Sequence, residues 1–360
     1  MISIKFFHLH IKQYHNSYFT YNKLENKRRD ILKKFLFSII GLLVIITCIV
    51  IVFINNNQKS NLKKIKVAEV THSVFYAPQY VAHALKYFEN EGLDVEIILT
   101  PGADAVAAAV LSGDVQIGFC GSEQTIYIYN QGEKDYLINF SALTKKDGSF
   151  LISRKENKNF KVEDLKNSHI IAGRKGGMPS MTLKWALNQK NINTEKDLKF
   201  DTSIAFASMN GAFIGGTGDY VTAFEPSASQ LVKQGYGHIV ASVGELGGNV
   251  PYTTYNAKKS YINKNKDVIK GFTKATQKGL DYIHKHSSKE IANVITTYFP
   301  DVSYNELVNS IQKYKDIDSW YETTEINEKD FSHIQEIIKN DNELDKIAPF
   351  DKLVNNSFSK

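Results

Sequence analysis

The side chains best suited to chemistry lie in loops that follow predicted strands. The rings of Phe75 and Tyr76 could stack on a flat ligand, and the carboxylate of Glu123 could accept hydrogen bonds from its amino groups. Glu225 is a further candidate, because an acid between an aromatic residue and a proline at a strand end is not easily explained by surface solvation. These residue types favour the binding of a small, amino-bearing or aromatic molecule.

A second set of loop residues could bind an anion. Arg174 and Lys175 precede the glycine turn Gly176–Gly177 and a predicted helix, where bare backbone N–H groups would face a ligand. Each feature also has a plainer interpretation. The glycines could serve only a tight turn, the two cations could be solvated, and the aromatic residues near position 75 could cap a core. The acid at position 123 is favourable at a helix start with or without a ligand.

The sequence lacks the motifs of common enzyme classes. It contains no Walker A loop, no G-x-G-x-x-G, no H-E-x-x-H, no C-x-x-C and no G-x-S-x-G. The two cysteines, Cys48 and Cys120, give no disulfide framework, and Cys120 beside an apolar strand is expected to be an inert buried thiol. We therefore expect no catalytic residues, no metal and no cofactor.

Strands and helices must position these loops, and from residue 65 they alternate along the chain. The apolar patterns predict strands at 65–70, 93–99, 115–119 and 136–143, with helices at 78–88, 103–111 and 122–130. A second series has strands at 169–172, 198–205, 220–224 and 238–243 and a helix at 179–189. Helices then cover 266–285, 289–298, a segment opening at a capping box over 303–306, and 328–339. Such alternation predicts an α/β fold with mostly parallel sheets.

The two series predict two α/β lobes with a ligand cleft between them. We assign residues 62–146 plus 250–360 to the first lobe and 150–245 to the second. Lys145 and Asp147 fall where the chain is expected to cross between lobes. Loops at the carboxyl ends of the strands should line the cleft.

An apolar segment precedes the predicted lobes. Phe35–Ile54 holds 20 uncharged residues, enough to span a bilayer, after a basic leader at 1–34 and before a linker at 55–64. The positive-inside rule places the leader in the cytoplasm and the lobes outside the cell membrane. An uncleaved anchor, a cleaved signal peptide and a lipoprotein signal at Ile45-Ile46-Thr47-Cys48 remain open. The net charge of +6 lies largely in the leader, so we expect no nucleic-acid partner.

Three stretches of the sequence, in this order, carry a resemblance to a known family. They are Phe75-Tyr76-Ala77-Pro78 leading to Lys86-Tyr87-Phe88-Glu89-Asn90-Glu91-Gly92-Leu93-Asp94-Val95, then Gly102-Ala103-Asp104 through Leu111-Ser112-Gly113-Asp114-Val115-Gln116-Ile117-Gly118, and Gly218-Asp219-Tyr220-Val221-Thr222-Ala223-Phe224-Glu225-Pro226. Together they resemble the solute-binding proteins of ABC importers, in the branch that binds aliphatic sulfonates and taurine, nitrate and thiamine-pyrimidine precursors. The resemblance covers about residues 65–345.

The resemblance implies a type II periplasmic-binding fold that closes on one small molecule and delivers it to a permease with a cytoplasmic ATPase. It implies a monomer anchored to the membrane, and not an enzyme. A pyrimidine-synthase-like enzyme of the same fold is less favoured, because the cysteine-rich stretch of that branch is missing. The favoured ligand is a thiamine-pyrimidine precursor or similar heteroaromatic, with a sulfonate, taurine or nitrate as the alternative. The expected ligand-binding residues are Phe75, Tyr76, Ser122, Glu123, Lys145, Asp147, Arg174, Gly176, Gly177, Phe224 and Glu225.

Overall fold

The structure, a computed structural model, describes residues 23, 25, 27–29, 33–47 and 62–359. From Lys63 onward the described residues form one compact unit that is separate from the N-terminal part of the chain. This unit contains two five-stranded sheets. We call the first sheet with the helices packed on it the first lobe, and the second sheet with its helices the second lobe.

The first sheet has the strand order β2-β1-β3-β10-β4. Its strands are β1 (Lys63–Glu69), β2 (Leu93–Leu99), β3 (Ile117–Gly121), β4 (Leu137–Thr144) and β10 (Thr253–Lys258). β1 pairs in parallel with β2 and β3, whereas β10 runs antiparallel to both β3 and β4. The predicted strands at 65–70, 93–99 and 136–143 agree closely with β1, β2 and β4.

The second sheet repeats this plan with the order β7-β6-β8-β5-β9. Its strands are β5 (Ser149–Ser153), β6 (His169–Ile171), β7 (Lys199–Asp201), β8 (Tyr220–Phe224) and β9 (His238–Ser242). β6 is parallel to β7 and β8, and β5 is antiparallel to β8 and β9.

The prediction of mostly parallel sheets is therefore wrong. Among the described residues, four strand pairings are parallel and four are antiparallel. The reason is that β5 and β10 each follow a crossing between the sheets. A chain that arrives from the other lobe enters its new sheet from the cleft end, so its strand runs against the strands of the local strand–helix units.

Helices cover both sheets and continue to the end of the chain. They are α1 (Ala77–Ala84), α2 (Tyr87–Asn90), α3 (Ala103–Ser112), α4 (Glu123–Asn130), α5 (Met178–Gln189), α6 (Met209–Ile214), α7 (Ser227–Lys233), α8 (Val243–Gly247), α9 (Lys259–Lys264), α10 (Lys266–Lys285), α11 (Ser288–Ile295), α12 (Tyr304–Asp316), α13 (Glu328–Asn340) and α14 (Phe350–Leu353). The predicted helix at 78–88 is two helices, because Lys86 adopts a left-handed conformation with φ of 58°. The predicted capping box at 303–306 is confirmed at the start of α12, and a second one opens α11.

The core of the first lobe explains why this segment folds around its sheet. The buried rings of Phe119 and Tyr255 stack at 4.3 Å between centroids, and Phe272 of α10 packs edge-on against Tyr255. Aromatic contacts of this kind bury large apolar areas and fix how α10 lies on the sheet. Cys120 is a buried free thiol beside them, and burial raises its pKa.

The N-terminal part is described only in pieces. Residues 33–47 are helical, so the structure describes the first part of the predicted anchor. Its remaining residues 48–54, with Cys48, lie outside the described residues. Within the parts of the chain that the structure describes, no helix combines the length and apolarity needed to cross a bilayer. Most of the predicted leader and linker also lies outside the described residues.

Candidate ligand-binding site

A cavity of about 70 Å³ lies between the two sheets, at the ends of strands from both. The rings of Tyr76, Phe206, Phe224 and Tyr252 line it, together with the carboxylate of Glu123 and residues named below. The first lobe supplies Tyr76 and Glu123, and the second supplies Phe206 and Phe224. This volume is small beside the roughly 300–1,000 Å³ of pockets for drug-sized molecules, so the cavity suits a compact ligand.

Glu123 is the acid of this cavity. It begins α4 just after β3, and its side chain folds back over Gly121, where a Cβ atom would lie 1.9 Å from Oε2 of Glu123. The residue is 1% exposed. Gln124 donates to Oε1 at 3.3 Å, whereas Oε2 has no hydrogen-bond partner among the described protein atoms. Burial raises the pKa of this carboxyl, and the nearby charge of Arg174 opposes that effect.

Arg174 brings a cation to the same cavity from the second lobe. It lies in the loop between β6 and α5, and its Nη2 is 3.6 Å from Oδ1 of Asp104 at the start of α3. No described residue accepts a hydrogen bond from this Nη2. Gly177, the N-cap of α5, also lines the cavity, and a Cβ atom there would lie 3.0 Å from Cγ of Arg174. The small residue lets the arginine stem lie close to the turn.

The aromatic rings around the cavity pack on one another and on Phe75, which lies behind them. Phe206 and Phe224 meet edge to face at 5.9 Å between centroids. Phe75 is fully buried and contacts Tyr76, Phe224 and Tyr252, with centroids 5.6 to 5.8 Å apart. Phe75 therefore lies behind the cavity wall and fixes three of the rings that face the cavity.

Five of the eleven predicted ligand-binding residues line the cavity, namely Tyr76, Glu123, Arg174, Gly177 and Phe224. Phe75 is in the supporting layer just described. The hydroxyl of Ser122 is buried and donates to the carbonyl of Pro251 at 2.6 Å, which ties the start of α4 to the second crossing. Gly176 has φ of +68°, and its carbonyl accepts from Tyr127 at 3.2 Å, so this residue turns the chain before α5.

Lys145 and Asp147 lie in the first crossing between the sheets. Nζ of Lys145 is 2.6 Å from Oδ2 of Asp318, outside the cavity. Asp147 is fully buried, and its Oδ1 accepts from the backbone N and the Oγ of Ser149 at 2.7 and 2.6 Å. Burial raises the pKa of Asp147 to about 6, against the opposing hydroxyls of Ser149, Tyr252 and Thr182.

Glu225 directs its carboxylate away from the ring-lined cavity. Oε1 lies 2.6 Å from Nζ of Lys313 and accepts from Oγ of Ser229 at 2.9 Å, and Oε2 accepts from Ser310 at 3.2 Å. The side chain is fully buried. Lys313 and Ser310 belong to α12 of the first lobe, so this acid joins the lobes through protein contacts.

Sequence reasoning missed Phe206, Tyr252 and Thr253 as lining residues. Phe206 belongs to a short 3-10 turn that follows β7, where the sequence suggested a longer strand at 198–205. Tyr252 and Thr253 come from the second crossing and the start of β10. The signal that could have found them is the position of Tyr252 at the return crossing, since both crossings of a two-lobed fold pass beside the cleft.

The fold and this interlobe cavity define the class: the described unit is a two-sheet α/β binding-protein fold. It superposes on the alkanesulfonate-binding protein SsuA from Xanthomonas axonopodis pv. citri bound to MOPS with a TM-score of 0.66, 12% identity, and coverage of 82% of this chain and 98% of that chain. The nitrate-binding protein NrtA from Synechocystis PCC 6803 matches with a TM-score of 0.63, 14% identity, and coverage of 82% and 87%. At these identities the likeness shows the fold alone.

The sequence itself shows the family. Residues 74–290 match the family described as "NMT1/THI5 like". The Bacillus subtilis (strain 168) protein YtlA, whose provisional name calls it a binding protein, is 43% identical over 303 residues, covering 84% of this chain and 91% of that protein. The chain belongs to the NMT1/THI5-like family, and the resemblance to solute-binding proteins of ABC transporters is confirmed.

Proposed function

We propose that the chain is the solute-binding component of an ABC importer and that it captures a small heteroaromatic molecule, such as a thiamine-pyrimidine precursor. One observation supports this class of ligand. A buried carboxylate oxygen of Glu123 lies without a protein partner in a cavity walled by aromatic rings. An unmade hydrogen bond at a buried oxygen is costly, so the site is built for a ligand that donates one.

An aminopyrimidine would satisfy the groups that the cavity leaves open. Its amino hydrogens would go to Glu123, a ring nitrogen or hydroxyl would accept from Arg174, and its flat face would lie against Tyr76, Phe224 or Tyr252. The raised pKa of Glu123 fits this role, because a carboxyl that ionises late can also share its proton with a ring nitrogen.

A sulfonate, taurine or nitrate is the second candidate. The observation in its favour is the Nη2 of Arg174, which has no hydrogen-bond acceptor among the described residues. A guanidinium forms strong hydrogen bonds with oxyanions. Against a simple sulfonate or nitrate, the anion would face the buried carboxylate of Glu123, and two like charges in a dry cavity repel unless one is neutralised by a proton. The ammonium group of taurine could instead donate to that carboxylate.

The partners follow from the importer role. We propose a membrane permease with its ATPase as the receiver of the ligand, and a monomeric receptor that acts outside the cell membrane and carries out no reaction itself. The apolar run Phe35–Ile54 supports membrane attachment, either as an uncleaved helix or as a lipoprotein signal at Cys48.

The test is calorimetric titration of the part of the chain from residue 62 with the aminopyrimidine precursor of thiamine and, separately, with taurine. We expect the aminopyrimidine to bind more tightly. Glu123→Gln should weaken its binding roughly tenfold or more, since a hydrogen bond to a charged group contributes about 1.5–3 kcal/mol. The matched control is Asp330→Asn, another buried acid, whose Oδ2 is already bonded to Tyr321 at 2.6 Å. Tight binding of taurine alone would refute the proposed ligand.

A further inference from the structure

Two helices from different lobes face each other through complementary charges. α7 belongs to the second lobe and follows β8, whereas α12 packs on α11 and on the 3-10 turn Val74–Tyr76 of the first lobe. Glu225, just before α7, pairs with Lys313 near the C-terminal end of α12 at 2.6 Å. Lys233, at the C-terminal end of α7, pairs with Glu306 near the N-terminal end of α12 at 2.6 Å. The two helices therefore run antiparallel. An acid and then a base along the α7 segment face a base and then an acid at the matching points of α12.

This contact is anchored at the crossing and extends away from it. The hydroxyl of Tyr314, near the C-terminal end of α12, donates to the carbonyl of Gly148 in the first crossing at 3.0 Å. Glu306 lies eight residues earlier on α12, which places it about 12 Å from that point at 1.5 Å per residue. A relative rotation of the lobes by about 15°, similar in size to known rigid-body rotations, would move a point at that distance by about 3 Å. Such a movement would break the pair between Lys233 and Glu306 while leaving the crossing in place.

The groups that join α7 to α12 are charged or polar, which makes it easier for the two lobes to separate there. Its interlobe bonds are ion pairs and hydroxyl contacts, and the side chains of Lys233 and Glu306 are 67% and 20% exposed. An open groove of about 710 Å³ runs beside them, lined by both helices. Charged groups at such a position can be rehydrated when they part, whereas an apolar contact would resist opening.

We propose that the α7–α12 contact is a clasp that holds the two lobes closed, so that Glu225, Lys233, Glu306 and Lys313 set ligand affinity without touching the ligand. They act as positioning residues through the equilibrium between open and closed lobes. A closed arrangement that is only partly populated lowers the apparent affinity by the same fraction. The inference rests on the two-lobed receptor proposed above and names the residues that control its closure.

The experiment measures lobe separation without any ligand, so its failure is distinct from a failure of the ligand assignment. Spin labels are placed on the full-length protein at Lys134→Cys in the first lobe and Lys196→Cys in the second, both exposed positions, in a Cys48→Ser background. Cys120 is buried and does not take up label. Pulsed electron paramagnetic resonance then gives the distance distribution between the labels.

Lys233→Glu should increase the population at longer distance by about twofold to fivefold, the effect expected of an exposed ion pair. Adding Glu306→Gln to Lys233→Glu should reduce this population again, because it removes the repulsion between two carboxylates, and glutamine keeps the capping box with Ser303. The matched control is Lys274→Glu, because Lys274 lies 2.9 Å from Glu91 within the first lobe and is similarly exposed. A distribution unchanged by Lys233→Glu, or shifted equally by Lys274→Glu, would overturn the proposal. If adding Glu306→Gln to Lys233→Glu does not move the distribution back toward the original, the proposal is overturned as well.

Discussion

Asp147 should impose a measurable pH dependence on stability. Its pKa rises from 3.8 to about 6 in the folded protein because the residue is fully buried at the first crossing. The folded state thus holds this proton more tightly than the unfolded chain does. The contribution of Asp147 to stability is greatest below pH 3.8, falls as the pH rises to about 6, and stays at the lower value above that. At about 1.4 kcal/mol per pKa unit, the gap between 3.8 and about 6 corresponds to a loss of about 3 kcal/mol.

The perturbation that isolates this effect is Asp147→Asn. Asparagine keeps an oxygen to accept from the backbone N and the hydroxyl of Ser149, and its neutral amide group replaces the charged Oδ2, which has no hydrogen-bond partner among the described residues. The variant carries no titrating group at this position, so it should be more stable than the wild type at pH 7 by up to about 3 kcal/mol and roughly equal to it near pH 4.

The assay is urea unfolding followed by tryptophan fluorescence at a series of pH values between 4 and about 7.5. Subtracting the variant from the wild type removes the contribution of Glu123, whose pKa is also raised by burial. Asp351→Asn is the control, because the side chain of Asp351 is 72% exposed and its removal should leave the pH dependence unchanged. If Asp147→Asn keeps the wild-type difference in stability between pH 4 and 7, the reasoning from burial at the crossing is refuted.

Two further predictions concern other carboxylates. Hydrogen bonds, first from Ser203 and then from His169, lower the pKa of Asp201 to about 2, so its contribution to stability is present above pH 3.8 and is lost as the pH falls through about 2. Acid unfolding of Asp201→Asn should lack this component, and an unchanged acid profile would contradict the assignment. Glu225→Ala should lower the free energy of unfolding by about 1–3 kcal/mol, because it removes the buried partner of Lys313, whose side chain is partly exposed. Denaturant titration measures this loss, and an unaltered midpoint would show that the ion pair contributes nothing.

Local periodicity predicted eight of the ten strands and the longer helices. It missed the short helices α6–α9 and α14, and it missed β5 and β10, which complete the two sheets. In β10, Thr254 and Asn256 are buried polar residues that bond to Asn139 and Cys120 inside the sheet. Only Tyr255 and Ala257 in this strand are apolar, so the hydrophobic signal of its alternation is short and weak. Because β10 was not predicted, Tyr252, the residue just before it, was not recognised as a residue of the cleft.

Ligands of such folds lie at the carboxyl ends of the strands, and this rule predicted which loops reach the cavity. It did not predict which side chains of those loops point into the cavity. Glu123, after β3, and Phe224, at the end of β8, line the cavity as that rule expects. Glu225 is the next residue, but neighbouring side chains on an extended chain point to opposite sides, so its carboxylate meets α12 instead. Position at a strand end predicts a ligand-facing side chain for both Phe224 and Glu225. Only the three-dimensional structure shows that one side chain faces the cavity and the other does not. The domain boundaries stay a prediction.

The place of β10 in the first sheet also constrains how the chain can be made. β10 lies between β3 and β4, and it comes from residues 253–258, after the whole second sheet has passed. A nascent chain that has emerged only as far as residue 250 therefore holds β3 and β4 with unpaired edges on either side of an unfilled gap. Unpaired edges invite wrong strand partners, and contacts between distant residues form slowly. For this protein the period between the synthesis of β4 and that of β10 is when a chaperone that shields strand edges would matter most.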